Sequence, residues 1–269
     1  MTISQVSKTN QVPIGIFDSG VGGLSIAKCI SMHLPNEQLI YIADTKFSPY
    51  GDKSTAFIQQ RVNFLTERLI SLNCKTIIIA CNTATLAAIE PLRKQVSIPI
   101  IGVEPAIKPA VQLSKTKKVA ILTTASTAKN TRFISLIKQH KQDAQIFIQP
   151  CPGLVELIEQ GLLVSKQCET LLIKYLTPLL TENIDTLVLG CTHYPFLIDQ
   201  IKKIVGEQVH VMETALPVTQ QLKRQITKYD LATTSKQLGG ISSYSSNYSL
   251  QQNLLMSQLW QGKIELQPL

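Results

Sequence analysis

Short runs of aliphatic side chains alternate along this chain with longer stretches in which apolar positions recur every three or four residues. Ile14-Gly15-Ile16-Phe17, Leu39-Ile40-Tyr41-Ile42, the run Ile77-Ile78-Ile79-Ala80 before Cys81, and Ile100-Ile101-Gly102-Val103 are short and continuously apolar. Such runs read as strands covered on both faces, the environment of a parallel sheet. Helices are predicted between them, from about Leu24 to Leu34, from about Thr55 to Leu72, and from Cys81 to just before Pro99. In the second of these, Ile58, Val62, Leu65 and Leu69 form one apolar stripe. The alternation restarts after Glu104-Pro105, with strands at Val119-Ala120-Ile121-Leu122, Ile146-Phe147-Ile148, Leu187-Val188-Leu189 and Val209-His210-Val211. Helical segments separate these strands, the longest from about Lys166 to Leu180. The tail adds a helix, a polar strand at Ile241-Ser242-Ser243-Tyr244 and a last helix from about Leu250 to Trp260.

Strands and helices that alternate in this way predict an α/β fold of parallel sheets. The pattern breaks near residue 105 and returns near 216, so we expect two domains. Residues 1–105 with 217–269 form the first and residues 106–216 the second, inserted in the first, with a cleft between them. Ligands in open α/β sheets bind at the carboxyl ends of the strands, which places Cys81-Asn82-Thr83 and Cys191-Thr192-His193 on that cleft. Each cysteine follows a strand and one small residue, an internal similarity between the halves.

Composition narrows the class. No stretch approaches the roughly 20 apolar residues of a membrane span, and residues 1–10 are polar, without the apolar core of a signal peptide. We therefore expect a cytoplasmic protein with a short loose N-terminus. The six cysteines, Cys29, Cys74, Cys81, Cys151, Cys168 and Cys191, have no C-x-x-C spacing, which argues against a disulfide scaffold or a zinc ribbon. The formal net charge of +8 raises nucleic acid as a partner. The lysines are dispersed, though, with the tightest cluster at Lys115-Thr116-Lys117-Lys118; a solvated surface explains them better.

Phe17-Asp18-Ser19-Gly20-Val21-Gly22-Gly23-Leu24 joins the first strand to the first helix. One reading is a dinucleotide turn with Asp44 on the ribose, but Ser25 stands where the third glycine belongs. A second is a helix start whose N–H groups hold a small anion, with Asp18 facing an ammonium group or a thiol. A third is a tight turn capped by Asp18. Ser48-Pro49-Tyr50-Gly51 reads as a loop on the same rim.

For Cys81 and Cys191 four readings compete. They are inert buried thiols, a metal site with His193, a Cys–His nucleophile, or a pair of proton-transfer groups. A hydrolase needs only one cysteine, and Cys191 with His193 lacks a standard zinc spacing. A thiol with an ordinary pKa of about 8.5 reaches either protonation state after a modest shift. Two thiols facing each other across a cleft would supply a base on one side of a carbon and an acid on the other, as a racemase or epimerase without a cofactor requires. Asp18 and Glu159 are candidate carboxylates beside them, Asp18 near Cys81, with His193 near Cys191.

At this point the chain resembles the bacterial glutamate racemases. The matching segments are Gly15–Leu24, Pro49-Tyr50-Gly51, Ile79-Ala80-Cys81-Asn82-Thr83-Ala84-Thr85, Cys151-Pro152 and Leu189-Gly190-Cys191-Thr192-His193-Tyr194-Pro195. The resemblance implies two pseudo-symmetric α/β domains and interconversion of L- and D-glutamate, without cofactor or metal, for peptidoglycan synthesis. It assigns Cys81 and Cys191 as the acid/base pair and Asp18, Glu159 and His193 as groups assisting the thiols. Asp18, Ser19, Pro49, Tyr50, Gly51, Asn82, Thr83, Thr127, Thr192 and His193 match substrate-pocket positions. The chain departs from the pattern at Ser126, where the family usually has glycine, and at Met212-Glu213-Thr214, where it usually has aspartate. Val103–Ala110 resembles the hinge segment of members activated by a peptidoglycan precursor, and a monomer or homodimer is expected. An aspartate-type racemase of the same superfamily and a non-catalytic binding protein, for example one acting on a DNA-handling enzyme, are the alternatives.

Overall fold

The structure, a computed structural model, describes residues 12–269; the expected loose terminus at residues 1–10 lies outside them. In chain order the strands are β1 (Ile14–Asp18), β2 (Leu39–Ala43), β3 (Thr76–Ile79), β4 (Ile100–Gly102), β5 (Lys118–Thr123), β6 (Gln145–Pro150), β7 (Thr186–Leu189), β8 (His210–Met212), β9 (Ile241–Ser245) and β10 (Leu266–Pro268). The helices are α1 (Leu24–His33), α2 (Thr55–Ser71), α3 (Asn82–Gln95), α4 (Ile107–Leu113), α5 (Ala125–Lys129), α6 (Thr131–His140), α7 (Leu154–Glu159), α8 (Lys166–Thr181), α9 (Ile198–Val205), α10 (Ala215–Lys228) and α11 (Leu250–Trp260).

Six strands form one sheet in the order β10-β9-β2-β1-β3-β4, and four form a second in the order β6-β5-β7-β8. Every pairing is parallel. The stretch β2-β1-β3-β4 has the same topology as β6-β5-β7-β8, so the internal likeness of the sequence is a likeness of fold. In each sheet the chain steps from the first strand to one side and later returns to the other. The crevice at the carboxyl end of that switch is where such sheets bind ligands. Register makes the equivalence residue by residue: Phe17 pairs with Ile79 and Leu122 with Leu189. Asp18 thus corresponds to Thr123, Ser19 to Thr124, and Cys81 to Cys191.

The apolar runs became strands because both faces are covered. Ile14, Ile16, Phe17, Ile77, Ile78 and Ile79 have no exposed surface, and each such side chain contributes about 1.5–3 kcal/mol by burial. The predicted stripe of α2, Ile58, Val62, Leu65 and Leu69, packs against Ile77 and Ile79, and Ser54 caps that helix by accepting from Phe57 N–H. One apolar cluster runs from Ile16 and Ile78 through Leu154 to Ala120 and Leu189, so the two sheets share a continuous core. The tail returns to the first sheet, with β9 on β2 and β10 on β9. The edge strand β10 was not predicted, because its three residues Leu266-Gln267-Pro268 carry no periodic signal.

Candidate active site

Strand β1 ends on Asp18, which has no exposed surface. Its Oδ1 accepts from Ser19 N–H at 2.7 Å, and its Oδ2 accepts from Gly23 N–H at 2.7 Å and from the Thr192 hydroxyl at 3.4 Å. The capping reading of Asp18 therefore describes part of its contacts, and the bond to Thr192 joins it to the second sheet's loop. Val21 N–H is also taken, by Glu159 Oε1 at 2.8 Å. The dinucleotide reading fails here: three of the turn's N–H groups, those of Ser19, Val21 and Gly23, already hold carboxylates. Asp44, its proposed ribose ligand, is bound by Arg61 and Tyr50.

The glycines have another purpose. A Cβ on Gly20 would stand 1.7 Å from Glu159 Oε1, and one on Gly22 would stand 2.3 Å from His193 Nδ1. Only glycine lets these side chains of the second half lie against the turn's backbone.

Cys81 follows β3 and begins α3, its Sγ accepting from Ala84 N–H at 3.4 Å and lying 3.8 Å from the Ser19 hydroxyl. Cys191 follows β7, with its Sγ 3.8 Å from His193 Nδ1. His193 Nε2 lies 2.6 Å from Glu159 Oε1, the oxygen that also accepts from Val21. A relay thus runs from the glycine turn through Glu159 and His193 to the Cys191 sulfur.

Both sulfurs border one cavity, together with Ser19, Pro49, Tyr50, Gly51, Asn82, Thr83, Thr192 and His193. Ten of the expected site residues therefore line one cavity. Asp18 and Glu159 stand behind it. Thr127 does too, its hydroxyl 3.2 Å from that of Thr83 and 3.1 Å from that of Thr124. Sequence reasoning missed Thr124 and Val155, which also line the cavity. For Thr124 the signal lies in the sheet register, which gives it in the second sheet the position of Ser19 in the first. The cavity volume is only about 10 Å³, room for about one water. A cavity of that size is too small for an amino acid.

The two thiols have different surroundings. Burial, and then the charge of Asp18, push the Cys81 thiol well above its ordinary range, which keeps it protonated. Burial also raises Asp18 to about 6, against the opposing pull of His193. Burial alone would lower His193, but its bonds to Cys191 and Glu159 outweigh that and raise it well above the usual value. A charged imidazolium beside the Cys191 sulfur stabilises negative charge there. Cys81 thus keeps its proton, while the His193 cation stands 3.8 Å from the Cys191 sulfur.

Known proteins resemble this chain in sequence and in overall fold. The glutamate racemase of Ectopseudomonas mendocina is 44% identical over 226 residues, covering 84% of this chain and 86% of that protein. A glutamate racemase isoform from Bacillus anthracis superposes with a TM-score of 0.88 at 28% identity, covering 97% of this chain and 98% of that one. The Escherichia coli glutamate racemase, solved with L-glutamate and the activator UDP-MurNAc-ala, superposes with a TM-score of 0.85 at 29% identity over 96% of this chain and 98% of its own. The family model for Asp/Glu/Hydantoin racemases matches residues 24–222, and the chain belongs to that family.

Proposed function

We propose that this chain interconverts L- and D-glutamate by two-thiol proton transfer at Cα, without a cofactor, supplying D-glutamate for peptidoglycan. The observation that carries this reading is the meeting of Cys81 and Cys191, from equivalent strand ends, on one cavity. In one direction the Cys191 thiolate takes the Cα proton, forming S–H as the C–H bond breaks. Cys81 then delivers its proton to the opposite face and is left as the thiolate. The reverse direction exchanges the roles. The Asn82 side-chain oxygen is buried with no hydrogen-bond partner among the described residues, which suits an acceptor for the substrate ammonium. Relatives named glutamate racemase favour glutamate over aspartate as substrate.

Residues 1–105 with 217–269 and residues 106–216 are the two domains of this reading, supported by the membership of the two sheets. Their parting opens the cleft. A groove of about 880 Å³ lies over both crossings between them, lined by Gly102 and Glu104 on one and Thr214 and Pro217 on the other. A peptidoglycan-precursor activator bound there would bias that motion. A cytoplasmic location fits six free cysteines, and among the described residues no helix is long and apolar enough to cross a membrane.

The test is incubation of the pure protein with L-glutamate in deuterated water. Deuterium at Cα and a racemic product are expected, with aspartate left unchanged. Cys81→Ala and Cys191→Ala should each lower racemisation at least about a hundredfold, since each removes a proton-transfer group. Near-full activity in either variant would overturn the two-thiol mechanism.

A further inference from the structure

The cleft wall at Tyr50 is held by a buried ion pair that the proton-transfer reading does not use. Asp44, in the turn after β2, has no exposed surface, and Arg61 of α2 grips it with both arms: Nε to Oδ2 at 2.9 Å and Nη2 to Oδ1 at 2.8 Å. Tyr50 donates its hydroxyl to the same Oδ2 at 2.5 Å. A buried carboxylate with a forked guanidinium and a phenol donor is a rigid three-part joint, because each bond is charge-assisted and directional. Arg61 is itself fixed, its guanidinium 4.3 Å from the Phe47 ring centre and 4.6 Å from that of Phe64.

The joint spans a short distance in sequence but connects three elements. Asp44 N–H bonds the Asp18 carbonyl and so continues the ladder of β1 and β2. Arg61 belongs to α2, and Tyr50 belongs to the cleft wall facing Cys81 and Thr124. We propose that Arg61 and Asp44 are positioning residues. They hold the Pro49-Tyr50-Gly51 wall at the depth that shapes the cavity for the substrate. This inference rests on the reading of the cavity as the glutamate site.

The perturbation is Tyr50→Phe, which removes one hydroxyl and keeps the ring, alongside Arg61→Lys, which keeps the charge and loses the fork. A wall that binds ground state and transition state alike changes KM and spares kcat. Tyr50→Phe should raise KM for glutamate about tenfold with kcat within about twofold, the loss expected when a hydrogen bond to a charged group is removed. In the double variant the two KM effects should fall well short of multiplying, because both act through Asp44. Amide exchange of residues 48–52 in the free protein should quicken in both single variants. Unchanged KM in Tyr50→Phe, independent effects in the cycle, or wild-type exchange at residues 48–52 would each overturn the proposal. A wild-type protein that fails to racemise glutamate overturns the proposed function instead, and the exchange measurement still decides whether the joint holds the wall.

Discussion

Gly20→Ala is the most demanding test of the relay, because nothing in the local backbone forbids it. Gly20 is not among the glycines in the left-handed region, which are Gly153, Gly161 and Gly206, so alanine meets no torsional strain there. The added methyl would instead stand 1.7 Å from Glu159 Oε1 and 2.6 Å from its carboxyl carbon, where ordinary contact begins at 3.4 Å. The carboxylate must retreat by more than an ångström, and its Oε1 holds both His193 Nε2 at 2.6 Å and Val21 N–H at 2.8 Å. A hydrogen bond to a charged group is worth about 1.5–3 kcal/mol, and the retreat also leaves the buried His193 cation unpaired. We expect kcat/KM to fall at least about a hundredfold, which corresponds to about 2.7 kcal/mol. Circular dichroism of glutamate follows the racemisation, and a thermal melt separates this effect from a folding defect. A folded Gly20→Ala protein with kcat/KM within about threefold of wild type would refute the relay.

Asp18 predicts a stability slope. Its pKa is raised from 3.8 to about 6 in the folded protein, so its contribution to stability is fully present below pH 3.8 and is lost as pH rises through about 6. Relative to wild type, Asp18→Asn should gain on the order of 3 kcal/mol between pH 4 and pH 7 in urea denaturation; a flat difference would contradict the burial argument. Glu159→Gln removes the anion that helps to hold the proton on His193. The alkaline limb of kcat/KM should therefore move to lower pH, and an unmoved limb would take Glu159 out of the relay.

Most of the fold was legible in the chain, and for local reasons. A run such as Ile77-Ile78-Ile79-Ala80 can be satisfied only with both faces covered, and that alone places Cys81 at the carboxyl end of an inner strand. The same logic applies to Cys191, and register then makes the two positions equivalent. Strand β10 escaped because three residues at a sheet edge need no pattern. Thr124 escaped because its role depends on the likeness of two strand ends that share no sequence.

What the chain determined by itself was therefore periodic and short-range: the order of strands and helices, the burial of their faces, and the two thiols at strand ends. The tertiary structure alone decided which distant groups touch. It set Glu159 of α7 against Val21 and His193, gave the glycine turn to a carboxylate rather than a phosphate, and tied Asp44 to Arg61 and Tyr50. The physical reason is one of range. Strand and helix patterns follow from neighbours a few residues apart. The pairing of buried charges depends on how two sheets, joined through one core, present their loops to each other.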